Sequence, residues 1–86
     1  MTGVELIANE RKEQIEKHGR TVARDYAENS NEQLVDAATA IIQRNPIFWP
    51  NGWDGDVYAK IRKKERKEQL IIAGALIAAE IDRMNF

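Results

Sequence analysis

Gln69-Leu70-Ile71-Ile72-Ala73-Gly74-Ala75-Leu76-Ile77-Ala78-Ala79-Glu80-Ile81-Asp82-Arg83 is the stretch that decides the fold. Alanine, leucine and isoleucine dominate it, so helix propensity is high throughout. It has no polar face over about three turns, and such a helix is buried on most of its sides. Gly74 and Ala78 stand four apart and share a face, which lets another helix approach closely. The apolar run 70–79 is too short to cross a bilayer, and Lys, Arg and Glu crowd its upstream flank. The reading is the core helix of an all-α domain that spans 1–86, built from three main helices and completed by dimerisation.

Working outward, the residues just upstream read Ile61-Arg62-Lys63-Lys64-Glu65-Arg66-Lys67, the one concentrated positive run of the chain. As a solvated helix end its charge is mostly screened; as a site, Arg62, Lys63 and Arg66 converge on a phosphate. The last helix is predicted to start at a cap on Asp54 or Asp56 and to continue without a break to about Arg83. Before it, 46–55 holds both prolines and both tryptophans, which excludes a regular element. Phe48, Trp49 and Trp53 are predicted to pack as a lid over the core.

Nearer the N-terminus, 4–18 has a helical pattern with Val4, Ile7, Ala8 and Ile15 on its apolar face and Gly19 as C-cap. Ile7, Glu10, Gln14 and Lys17 fall on one line of that helix and read as a solvated edge. Residues 20–29 carry no period and read as a connection. A second helix is predicted from Ser30, with Gln33 completing a capping box, to Asn45-Pro46. Its buried stripe is Leu34, Val35, Ala38, Ile41 and Ile42.

The 86 residues form a small domain in which core burial only narrowly exceeds chain entropy. Cysteine is absent, which removes disulfides and thiolate metal sites and leaves oligomerisation as the remaining stabiliser. Thirteen basic and 14 acidic side chains give a net charge of −1, so there is no general pull toward duplex nucleic acid or membranes. No charged segment followed by an apolar stretch opens the chain, and a cytoplasmic location is the expectation. No nucleophile–base pair, Gly-rich phosphate loop, zinc spacing or EF-hand pattern is present. Carboxylates remain: Glu10 with Glu13, Glu32 with Asp36, and Glu65 with Glu68 each share a helical face. Such hard oxygen ligands suit Mg²⁺, which prefers one or two carboxylates plus water and a substrate phosphate.

Several motifs occur together in one order: Glu10-Arg11-x-x-Gln14; Gly19-Arg20-Thr21 followed by Asp25; Leu34-x-x-Ala37-Ala38; Trp49-Pro50 then Trp53; and the stretch from Leu70 to Arg83. In this order the chain resembles the small MazG-like proteins of phages and prophages, distant kin of the all-α nucleoside triphosphate pyrophosphohydrolases. The resemblance implies an all-α bundle that dimerises, binds Mg²⁺ through carboxylates on facing helices and releases pyrophosphate from nucleotides. It assigns Glu10, Glu65 and Asp25 to catalysis and the metal. Gln14, Trp49 and Trp53 would contact the nucleotide, beside the basic Arg62, Lys63 and Arg66. Gln33 and Gln69 stand where many of these proteins carry Glu and Asp, and an amide is the poorer Mg²⁺ ligand. Two readings of function therefore stand: a Mg²⁺-dependent nucleotide pyrophosphohydrolase, and a non-catalytic helical homodimer that binds a nucleotide or a protein.

Overall fold

The computed structural model describes residues 1–19 and 21–85. Its elements are α1 (Gly3–His18), α2 (Val22–Glu28), α3 (Gln33–Gln43), a 3-10 turn (Pro46–Phe48), α4 (Gly55–Arg62) and α5 (Arg66–Met84). The chain is all-helical, with no strand among the described residues. Long helices stand roughly where the periodicity asks for them, but five α-helices replace the three expected.

Helix α5 is central and packs against α3, α1 and α2. Leu34, Ala37, Ala38 and Ile41 of α3 meet Ile72, Ala73, Leu76 and Ala79 of α5, with Ile61 of α4 closing the cluster. Alanines on both helices allow close approach, while leucine and isoleucine fill the remaining volume. The buried stripe of α3 is shifted from the expected one: Ala37 and Ala40 are buried, Val35 is half-buried and Ile42 is exposed. Of the three aromatics expected to form a lid, Phe48 is exposed, whereas Trp49 and Trp53 pack against this core. Their rings meet edge-on at 5.4 Å, and Trp49 also leans on Tyr58 at 5.3 Å.

Helix α1 starts on a capping box that the sequence reading missed. Thr2 accepts from the Glu5 amide, and Glu5 accepts from the Thr2 amide at 2.8 Å. That backbone donor holds the Glu5 carboxyl below its ordinary range. Gly19 ends the helix in the left-handed region, as expected. The buried side is not the apolar one, however: Val4 is 79% exposed, whereas Arg11 and Gln14 are buried. Of the line Ile7, Glu10, Gln14 and Lys17, only Lys17 is a solvated edge; Gln14 is buried and Ile7 and Glu10 are half-buried. Ile7 lies against Gly74 of α5, so closely that a Cβ there would stand 2.7 Å from its Cδ1.

Three further expectations change. The connection at 20–29 contains α2, capped by Thr21 on the Arg24 amide; seven residues are too few to show a helical period. Ser30 does not cap α3, whose N-cap is Glu32 with φ 64° and no side-chain hydrogen bond. Gln33 instead accepts from the Asn31 amide and donates to the Glu28 carbonyl, closing the α2–α3 turn.

The last helix, finally, is two. Asp54 caps α4, but the chain leaves the helical path between Arg62 and Arg66. Nothing local asks for this break, since 60–68 lacks Pro and Gly and is rich in helix formers. The cause is tertiary. Gln69, buried on α5, directs its amide nitrogen at the carbonyls of Ile61, Arg62 and Lys64, at 3.1–3.2 Å. It thereby satisfies the carbonyls that the end of α4 exposes. Its oxygen accepts from Arg66, which in turn donates to the Ile41 and Ile42 carbonyls at the end of α3. One glutamine and one arginine thus clasp three helix ends.

Candidate functional site

Where α1 faces the start of α5, the packing leaves a cleft of about 620 Å³. Glu10, Glu13 and Gln14 of α1 form one wall, and Lys64, Glu68, Ile72 and Leu76 the other. Lys60 and Ile61 of α4 close one end; Trp49, Trp53, Val57 and His18 close the remaining side. A half-buried Glu10 beside Lys64, with indole rings across the opening, combines charge and apolar surface in one concavity.

Glu10 is the group with the most perturbed chemistry here. Burial pushes its carboxyl above the ordinary 4.5, and Glu13 and then Glu68 add like charge. A hydrogen bond from Gln14 and the charge of Lys64 act against that rise. Gln14 donates to Glu10 at 3.5 Å, while its own buried oxygen has no hydrogen-bond partner. A cation beside Glu10 would favour its charged form against the burial and the like charge that raise it.

The other expected residues divide. Gln14, Trp49 and Trp53 line the cleft with Glu10. Glu65 does not: it is the exposed N-cap residue of α5, and the carboxylate on that wall is Glu68. Starting α5 at Arg66 sets Glu68 in its first turn, beside Glu10. Arg66 is engaged with the α3 carbonyls, and Arg62 and Lys63 are exposed outside the lining. Lys60 and Lys64 line the cleft; Lys64 belongs to the basic run singled out in the sequence, though not among the three residues chosen from it, and Lys60 was passed over.

Asp25 is not among the residues that line the cleft with Glu10; it lines a smaller chamber of about 250 Å³ that shares Trp49 and Trp53 with the cleft. It is 1% exposed; one oxygen accepts from Asn29 at 2.9 Å and the other stands 3.8 Å from Arg11. Arg11 also meets Asp82 of α5 at 3.5 Å, so this cluster ties α1, α2 and α5 together. Gln69 is committed to the helix clasp and Gln33 to the α2–α3 turn, so neither amide acts as a stand-in ligand. Among the described residues no three His, Asp or Glu side chains stand together as a ready metal cage. A Mg²⁺ ion here would take Glu10 and Glu68 from the protein and its remaining ligands from phosphate and water, a pattern common for this ion.

Glu68 was within reach of sequence reasoning, since it shares a face with Glu65 and only the helix start decides between them. No helix among the described residues is long and apolar enough to cross a membrane. No protein-family model matches the chain, and no curated protein or solved structure matches it either.

Proposed function

We propose that this is a MazG-like protein of the phage and prophage type, acting in the cytoplasm, whose cleft binds a nucleoside triphosphate with Mg²⁺ and releases pyrophosphate from it. The observation that carries the reading is that the partly buried Glu10 lines one cleft with Glu68, Lys60 and Lys64. Glu10 and Glu68 would hold the ion, and Gln14 fixes the orientation of Glu10. When bound, the ion supplies positive charge against the oxygens that gain negative charge during phosphoryl transfer. Water forms a bond to the α-phosphorus and gives up a proton to solvent as the bond to the bridging oxygen breaks, and Lys60 and Lys64 neutralise the departing pyrophosphate. Trp49 and Trp53 shield the nucleoside from water.

A second reading is favoured by a separate observation. Asp25 and Gln69 serve the fold, which thins the carboxylate set, and Leu70, Ile77, Ile81 and Met84 lie exposed along α5. A second copy covering that stripe would give a non-catalytic homodimer that binds a nucleotide or a protein.

The test is incubation with standard and modified (d)NTPs plus Mg²⁺ or Mn²⁺. We expect pyrophosphate release from at least one of them, and its loss in Glu10→Ala. No release from any would leave the accessory reading.

A further inference from the structure

We propose that the junction of α3, α4 and α5 is a docking surface for an acidic segment of a partner protein, one with apolar side chains among its carboxylates. This role does not depend on the nucleotide reading above. Lys12, Lys17, Arg24, Lys64 and Arg83 each lie within 4.0 Å of a carboxylate, and Arg11 meets two. Among the described residues, Arg44, Lys60, Arg62, Lys63 and Lys67 have no such partner. Lys60 belongs to the cleft, but the other four gather at one junction. Arg44 closes α3, Arg62 and Lys63 end α4, and Lys67 stands in the first turn of α5. Arg66 on the Ile41 and Ile42 carbonyls, and Gln69 on those of Arg62 and Lys64, hold these ends together.

Over 41–48 and 61–67 the only carboxylate is Glu65, so this junction is strongly positive on a chain of net charge −1. Arg44 also holds φ 53°, a left-handed position where glycine is the unstrained choice. A guanidinium stands there instead, exposed to solvent. Apolar side chains are exposed in the same stretch: Ile42, Phe48 and above all Ile47, at 79%. Together they complement carboxylates, which arginine can grip with two hydrogen bonds, interspersed with aliphatic groups. Nucleic acid fits less well, because bases stack on aromatic rings and Phe48 alone supplies one here. A lipid surface also fits less well: tryptophan favours the membrane interface, and both tryptophans pack against the core.

The test uses fluorescein-labelled synthetic peptides of one length, read by fluorescence anisotropy. One alternates glutamate and leucine at helical spacing, a second has serine for every leucine, and a third has lysine for every glutamate. We expect the glutamate–leucine peptide to bind about tenfold or more tightly than the serine peptide, and the lysine peptide not to bind. Arg62→Glu combined with Lys63→Glu should weaken that binding about tenfold or more, and Ile47→Ser should weaken it too. Lys12→Glu, a charge reversal on α1, should leave it unchanged. All four side chains are exposed; should a variant still fail to fold, the three peptides on the parent protein decide alone. Phosphatidylserine vesicles and oligo(dT) are run alongside. No binding of any peptide, equal binding of the leucine and serine peptides, or tighter binding of vesicles or oligonucleotide overturns the assignment. So does a loss through Lys12→Glu as large as that through the junction pair.

Discussion

Against α3, helix α5 presents Ile72, Ala73, Leu76 and Ala79 to leucine, isoleucine and alanine. Against α1 and α2 the same helix takes part in the cluster of Arg11, Asp25 and Asp82, and it borders the cleft that holds Glu10 and Gln14. The first contact is governed by volume, and its helix ends are satisfied by Arg66 and Gln69. The second is governed by charge, and buried oxygens of Gln14 and Asp25 there lack hydrogen-bond partners. A small protein can hold such a polar seam only because the apolar one stabilises the fold beside it. Groups left short of partners on one face mark where a ligand would gain most.

The largest effect should come from breaking the apolar side. Leu34 is fully buried, and Leu34→Ala is expected to cost about 2–5 kcal/mol through lost transfer energy and an incompletely collapsed cavity. Urea unfolding would register it as a lower midpoint with an unchanged slope. An equal loss from a cleft residue such as Trp53→Ala would erase the distinction between the two faces.

Gln69 sharpens the comparison at intermediate size. Gln69→Leu leaves the carbonyls at the α4 end without their donor, an expected loss of about 1–3 kcal/mol. Gln69→Asp should lose more at neutral pH, because a carboxylate then meets carbonyl oxygens. The resemblance to MazG-like proteins makes the opposite forecast, that an acid at this position tightens Mg²⁺ binding. Thermal melts of both variants with and without Mg²⁺ separate the two.

The smallest effect belongs to Glu10 and depends on pH. Its folded carboxyl holds its proton more tightly than the unfolded one, since burial raises it above 4.5. Its contribution to stability is therefore fully present below that value and is lost as pH rises through the raised folded value. Glu10→Gln should accordingly be more stable than the parent at pH 7 and converge with it below pH 4.5. Mg²⁺ should raise the melting temperature of the parent more than that of the variant. A variant less stable than the parent at pH 7 would remove the electrostatic argument for a cation in the cleft.

The sequence by itself determined the helical class, because side-chain period and propensity act within one turn of chain. The apolar run 70–79 and Gly19 as a C-cap follow from such short-range physics, as does a cap at Asp54 or Asp56, of which Asp54 serves α4. The resemblance names Glu10, Gln14, Trp49 and Trp53, which share one cleft, together with Glu65, Asp25, Arg62, Lys63 and Arg66, which do not line it. Tertiary structure alone decided the rest. The break between α4 and α5 depends on Gln69 reaching back to carbonyls five to eight residues away. That break decides which of Glu65 and Glu68 faces Glu10. On α1, Gln14 is buried and Ile7 and Glu10 half-buried where that helix packs against α5, and Asp25 is held by Arg11 on the helix α2 rather than in the lining of the cleft. Each of these depends on a partner beyond the reach of a single helical turn, and the period of one helix carries no record of such a partner.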